Sequence, residues 1–403
     1  MDFNVSVFKG IDGLMHFKNY QKFVLSLFVV APFTVIIANY SPYYLWKMEV
    51  LGSILAIIFY FLIGFNLRSK KNKRIVLNYL IIGLIAWGSP LLFHFQIPSV
   101  KLIVELLFAC AFLVLRNDAK TWIYDKFIKL LALLFVFSII EFLFAQFGRV
   151  YIIGETVRSG VVYQNSFYQT IFNLLPQYYL NGTARFQSIT EEPGLVGTLC
   201  FFILSSMDMK KYKVQAIIFG LAGILSMSLA FYVLMFFWLI LRFKSFTLKY
   251  ILLFMLFSGT IYFVFSDRIN DIIIERIVSK KNEGESLDNR NSEQVKKLFD
   301  ETSNSFDRII CGMGNRTFEK MDTGASAGIK KIIVQYGFLM VLMALASFCL
   351  LFFKMKGYSY SSVVILMLFL FSLYQRFDLN LSTNIIVIFG SMLPFEGKIS
   401  RIK

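Results

Sequence analysis

The chain is poor in charge. Asp, Glu, Lys and Arg make up 16% of its 403 residues, against about 25% in an ordinary soluble domain. That shortage excludes most water-soluble enzymes, and a hydrophobic content of 57% excludes disorder. Histidine is nearly absent: His16 and His94 lie far apart. The four cysteines, Cys110, Cys200, Cys311 and Cys349, form no Cys-x-x-Cys pair and no Cys/His spacing, so neither a disulfide framework nor a zinc site is expected. There is no nucleotide-binding P-loop and no Asp-x-Asp pair. Gly312 and Gly314 form a lone Gly-x-Gly without a strand-turn-helix context. The first segment is interrupted by Asp2, Lys9, Asp12 and Lys18 and lacks a small-residue cleavage site, so it does not read as a removable signal.

What is present in quantity is apolar and aromatic: 46 Phe and 20 Tyr, in runs of membrane-spanning length. The runs place helices at 22–40, 48–67, 75–94, 100–116, 127–147, 191–207, 213–227, 229–242, 248–266, 329–353, 359–377 and 380–395. The expectation is an all-α polytopic membrane protein of about twelve spans, with residues 1–403 as one integral membrane domain. The pair 213–227 and 229–242 also reads as one overlong helix. Charge decides between the two. Alternate helix ends carry Arg68, Lys70, Lys71, Lys73 and Arg74, then Arg116 and Lys120, Lys210, Lys211 and Lys213, Arg242, Lys244 and Lys249, Lys354 and Lys356, and Lys398, Arg401 and Lys403. Short cytoplasmic loops are enriched in Lys and Arg. Two short helices keep every basic cluster on one side and put both termini in the cytoplasm. The net charge of +16 is then a topology signal, not a nucleic-acid footprint.

Two large loops face the other side, 148–190 and 267–328. The second holds 12 of the 25 acidic residues and 10 of the 41 basic ones, so its mixed charge sets it apart from the basic loops. It is expected to open on an amphipathic helix with Ile269, Ile272, Ile273 and Ile277 on one stripe, and Asp288 or Asn289 is placed to cap a further helix. In the first loop, residues around 166–180 are expected to form an aromatic interfacial helix.

The densest polar motif is Arg185-Phe186-Gln187-Ser188-Ile189-Thr190-Glu191-Glu192-Pro193-Gly194, where the first loop enters a helix. Pro193 suits the first helical turn, and Glu191 and Glu192 lie where the helix dipole favours acids. They read either as capping acids or as a carboxylate facing a cavity, where it would serve as a base. Arginines on the non-cytoplasmic face run against the charge bias: Arg149, Arg158, Arg185, Arg268, Arg276, Arg290, Arg308 and Arg316. They read as partners for the loop acids or as ligands for an anion, since guanidinium suits phosphate. Gln375, Arg376, Asp378, Asn380 and Asn384 are polar positions in the late helices, Glu105 and Glu141 are deeper carboxylates, and Lys330 and Lys331 open a helix where phosphate would meet them.

Arg185-x-x-Ser188-x-x-x-Glu192-Pro193 followed by Gly197, then Arg276, Arg290, Gly312-x-Gly314 and Tyr336-Gly337, together with the topology, resembles the O-antigen and capsular polysaccharide polymerases of the O-antigen polymerase and ligase superfamily. The resemblance implies a GT-C-like architecture in a bacterial cytoplasmic membrane. It implies a glycosyltransferase, independent of metal, nucleotide and cofactor, that joins repeat units on the outer face. Its partners would be undecaprenyl-pyrophosphate-linked oligosaccharide, the growing lipid-linked polysaccharide, membrane lipid, and a chain-length regulator and flippase, with no nucleic acid. On that reading Glu192 or Glu191 is the catalytic base, and Arg185, Arg276, Arg290, Arg376 and Lys330 bind pyrophosphate. The related ligases use a histidine in the late loop. Here Met321–Gly328 has none, which favours polymerase over ligase. The competing class is a lipid-linked oligosaccharide flippase.

Overall fold

The computed structural model of the chain describes residues 17–38, 50–146, 149, 152, 154–159, 164–176, 185–188, 190, 192–242, 293–314, 317–318, 328–375 and 379–391. In chain order the helices are α1 (Asn19–Ala38), α2 (Leu51–Ile63), α3 (Lys73–Trp87), α4 (Ser89–His94), α5 (Val100–Val114), α6 (Asn117–Gln146), α7 (Pro193–Ser206), α8 (Lys213–Leu225), α9 (Leu229–Arg242), α10 (Glu293–Ser303), α11 (Phe306–Cys311), α12 (Ile329–Tyr336), α13 (Phe338–Lys356), α14 (Tyr360–Gln375) and α15 (Ser382–Gly390). Strands β1 (Gly154–Ser159), β2 (Gln164–Gln169) and β3 (Leu174–Pro176) form an antiparallel sheet in that order, with Ser159 opposite Gln164 and Gln169 opposite Leu174.

Lys73–His94, Asn117–Ala145 and Phe338–Lys356 are long and apolar enough to cross a membrane. Helices α2, α7, α8, α9 and α14 are also apolar but shorter. Side chains such as Leu62, Val214, Ile217, Leu350 and Met367 are exposed around the bundle, which suits lipid contact. The fold is that of a helical multi-pass membrane protein. The span expected at 248–266, the isoleucine stripe from Ile269 and the segment after Ser391 lie outside the described residues.

Hydropathy set the runs, but local chemistry set the breaks. The 75–94 run divides at Gly88, just before Ser89-Pro90. The 213–242 run divides as the charge pattern required: α8 ends at Leu225 and α9 begins at Leu229, with Met227 in the left-handed region at φ 46°. The 329–353 run divides at Gly337, φ 86°, where a Cβ would sit 1.9 Å from the Ile310 carbonyl oxygen. Only glycine fits there, so α12 leaves α13 at a fixed turn. Asp288 and Asn289, expected to cap a further helix, lie outside the described residues; α10 follows them at Glu293–Ser303. The interfacial helix expected around 166–180 is wrong for the described part of that stretch: β2 and β3 lie there, and 177–180 are outside the described residues. Its aromatic content serves a strand as well as a helix, and the turn between the strands is tied to α6 by side chains far away in sequence.

The bundle has two distinct ends. At the basic end, Arg116 N–H donates to Leu67 O and Ser69 N–H to Val114 O, each at 2.8 Å, joining the α2–α3 and α5–α6 connections. Tyr212 donates to Asp125 on α6 at 2.8 Å, which brings the α7–α8 connection to the same end. Burial and this bond to a carboxylate push the Tyr212 phenol well above its ordinary pKa. The opposite, loop-bearing end carries the sheet, the α8–α9 turn and a cap of α10, α11 and α12. Val295, Met313, Phe318 and Val334 form the cap's own small core. The cap rests on the α4–α5 connection: His94 Nε2 is 3.2 Å from Cys311 O, and Gln96 Nε2 donates to Thr317 Oγ1 at 3.3 Å.

Gly337→Ala is expected to cost more than about 4 kcal/mol, because strain and a backbone collision add. Gly357 has the same backbone conformation, at φ 80°, with open space where its Cβ would be. Gly357→Ala is expected to cost about 1–3 kcal/mol, the backbone term alone. Thermal melts of the two variants in detergent check the contrast.

Candidate functional site

The polar motif of the first loop folds into a buried turn at the loop-bearing end. Phe186 is fully buried, edge-on to Phe135 and Phe142 of α6 at 5.9 and 5.5 Å. Gln187, Ser188 and Thr190 are buried as well. Ser188 takes a left-handed conformation at φ 52°. Thr190 closes the turn: its N–H donates to Gln187 O at 3.0 Å, and its hydroxyl lies 2.7 Å from Gln187 O and 3.1 Å from Glu192 O. Glu192 has extended backbone and Pro193 starts α7, so the motif ends in a proline-initiated helix as its sequence indicates. The Glu192 side chain is half-buried at that entry and makes no cap to its own helix.

Arg185 is a backbone clamp. Its Nε donates to Ser226 O at 3.1 Å and its Nη2 to Met227 O at 2.8 Å. Phe186 N–H donates to Leu225 O at 3.0 Å, and Tyr232 Oη to Ile224 O at 3.0 Å. The successive carbonyls of Ile224, Leu225, Ser226 and Met227, at and just past the end of α8, therefore each accept from a side chain or backbone group elsewhere, Ile224 O also from the Met227 N–H. Gly197, one turn into α7, permits this packing: a Cβ there would fall 2.4 Å from the Cβ of Ser228.

A second polar knot lies on α6 beside the turn. The Glu141 carboxylate accepts from Thr170 Oγ1 at 2.7 Å, Ile171 N–H at 2.9 Å, Phe172 N–H at 2.8 Å and Asn173 Nδ2 at 2.9 Å. Ser138, nearly one turn earlier, lies 2.6 Å from Phe172 O and 2.7 Å from Ser188 Oγ. Ser138 is the donor to these oxygens and to Asn173 Oδ1 at 3.1 Å, and its single proton serves one of the three at a time. Glu141 thus fastens the β2–β3 turn to α6, and Ser138 links that turn to the Arg185–Glu192 segment. The sequence marked Glu141 as a deep carboxylate. Its partners are about thirty residues away in sequence, and no local signal pointed to them.

The late-loop glycines also meet. Met313 N–H donates to Val334 O at 2.8 Å and Gly314 N–H to Gln335 O at 3.1 Å, so Gly312-x-Gly314 covers the end of α12 beside Tyr336-Gly337. Lys330 stands 5.6 Å over the Phe299 ring and Lys331 5.7 Å over Phe318, which holds both ammonium groups within the cap. Of the expected site residues, the structure puts Arg185 and Glu192 on one turn and Lys330 in the cap. Glu191, Arg276, Arg290 and Arg376 lie outside the described residues. Among the described residues no group of three or more His, Cys, Asp or Glu side chains is placed to hold a metal ion.

Compared with known proteins, the chain matches no family model and no curated protein. Fold and site therefore define a class alone: a helical multi-pass membrane protein with a structured polar end.

Glu141→Ala leaves two backbone N–H groups and two side-chain donors without their acceptor. It is expected to destabilise the loop-bearing end by about 2–4 kcal/mol, read as faster amide exchange at Ile171 and Phe172. Glu141→Gln keeps one acceptor oxygen and should fall between wild type and Ala. Arg185→Lys replaces a two-pronged donor with a point charge. It should lower stability by about 1–3 kcal/mol, with faster exchange in the α8–α9 turn.

Proposed function

We propose that the chain is a polysaccharide polymerase. It transfers a growing glycan from its undecaprenyl pyrophosphate to a hydroxyl of an incoming lipid-linked repeat unit, on the outer face of a bacterial cytoplasmic membrane. In this reading it has a GT-C-like architecture of about twelve spans, and its basic end faces the cytoplasm. The observation that carries the reading is the Arg185–Glu192 turn. It is a built polar element at the loop-bearing end, and it presents a half-buried carboxylate where α7 enters the bundle.

The reaction breaks the glycosyl–pyrophosphate bond and forms a glycosidic bond. The acceptor hydroxyl loses a proton, and lipid pyrophosphate leaves with the bond electrons. A carboxylate partly removed from water suits the proton transfer, and Glu192 takes that role with Glu191 beside it. Cations must stabilise the leaving pyrophosphate. Arg276, Arg290, Arg376 and Lys330 are assigned to it. Arg185 already spends two donors on the α8–α9 turn, so its part is to hold the turn that carries Glu192. A lateral opening between short helices would admit the lipid tails.

The test uses purified protein in lipid with the undecaprenyl-pyrophosphate repeat unit of the host, without nucleotide or metal. A ladder of longer glycans with release of undecaprenyl pyrophosphate is expected. Glu192→Gln should lower turnover about 10²–10⁴-fold while the melting temperature stays near that of wild type. Movement of the lipid-linked unit across the bilayer with no ladder would replace the polymerase with a flippase.

A further inference from the structure

A separate feature lies at the basic end. Lys120, in the first turn of α6, is 2% exposed, and its Nζ has no hydrogen-bond partner among the described residues. Lys356, in the last turn of α13, is partly buried, and the end of α15 that it meets packs on α6 one turn past Lys120, where a Cβ on Gly390 would fall 3.0 Å from the Cβ of Tyr124. It donates to Ser391 O, and its Nζ is 3.5 Å from Ser391 Oγ. Ser391 follows the last turn of α15 and is itself buried. Three helix ends therefore bring two ammonium groups and a hydroxyl together.

The acids of this end that the structure describes are committed elsewhere. Asp118 pairs with Arg116 at 2.9 Å. Asp125 pairs with Lys129 at 2.9 Å and accepts from Tyr212. Asp208 accepts from the backbone of Lys210 and Lys211. Among the described residues no carboxylate reaches either ammonium. Two like charges removed from water without a counter-ion oppose each other and folding. An anion between them resolves both problems. The amino end of α6 adds favourable dipole on the same side, and the Ser391 hydroxyl supplies a donor.

We propose that Lys120, Lys356 and Ser391 form a binding site for a phosphate-class anion at the basic end, filled by a phospholipid headgroup or by free phosphate. The site is remote from the proposed transfer chemistry and does not depend on it.

The full chain, purified in uncharged detergent and stripped of lipid, is tested by native mass spectrometry and titration calorimetry. The probes are phosphatidylglycerol, diacylglycerol with the same tails, and inorganic phosphate. Retention of one phosphatidylglycerol over diacylglycerol identifies a headgroup site, and heat from inorganic phosphate identifies a free-anion site. Lys120→Met should weaken either about tenfold or more, whereas Lys70→Met, at an exposed position, should leave it unchanged. Equal retention of the two lipids with no phosphate heat in the wild-type chain overturns the proposal, even if the Lys120 variant fails to fold. Unchanged binding in a folded Lys120→Met variant overturns it as well.

Discussion

The structure depends on one constraint: backbone polar groups out of reach of water must find partners within the protein. A helix satisfies its own middle but leaves about four carbonyls open at its end. A full-length span can leave that end in the headgroup region. A helix of 13 residues, such as α8, extends only about 20 Å against a hydrocarbon thickness of about 30 Å. Its end therefore needs protein. Arg185, Phe186 and Tyr232 supply that protein, and so the segment before α7 is folded into the bundle.

The same constraint explains the other knot. The β2–β3 turn presents the N–H groups of Ile171 and Phe172 towards α6, and Glu141 accepts both. The hydroxyl pair of Ser138 and Ser188 then couples this turn to the Arg185–Glu192 segment. The loop-bearing end is thus one connected hydrogen-bonded unit running from β2 through α6 to the α8–α9 turn. The backbone of Glu192, at the entry to α7, is tied to that unit through the Thr190 hydroxyl.

Much of this was legible in the sequence, at the level of physics that sums over residues. Apolar runs gave the helices, and the Lys and Arg clusters correctly split 213–242 into two. The helix start at Pro193 was legible from its proline, whereas the break before Pro90 was not read, because the apolar run 75–94 continues through it. Gly337 was harder, because a glycine inside an apolar run does not announce that its neighbour's carbonyl will fill its Cβ position. The sheet was not legible. Phe167, Tyr168 and Phe172 suit an interfacial helix, and what selects the strands is Glu141, on a helix distant in sequence. The Arg185–Glu192 segment was recognised as chemically dense, but its density divides into two uses. Arg185 secures carbonyls and Thr190 closes a turn, while Glu192 is left at the helix entry.

A charge in this chain takes its meaning from its partners rather than from its count. Arg185 ends on two carbonyls, and Lys330 and Lys331 lie over aromatic rings. Lys129 and Lys211 share Asp125. Each of these has a local structural reason that accounts for at least part of its presence. Lys120 has none among the described residues, although it belongs to a cluster that topology alone would explain. A charge rule sorts it with the surface lysines of its end, whereas burial sets it apart from them. An ordinary topological lysine needs only water, which Lys70 has. A lysine that has lost water needs a counter-charge or must give up its proton. The second course would ease the repulsion on Lys356, but it would leave a buried amine beside a second cation with its hydrogen bonds still unmade. Supplying an anion satisfies the charge and the hydrogen bonds together, and for that reason the basic end reads as a binding site as well as an anchor.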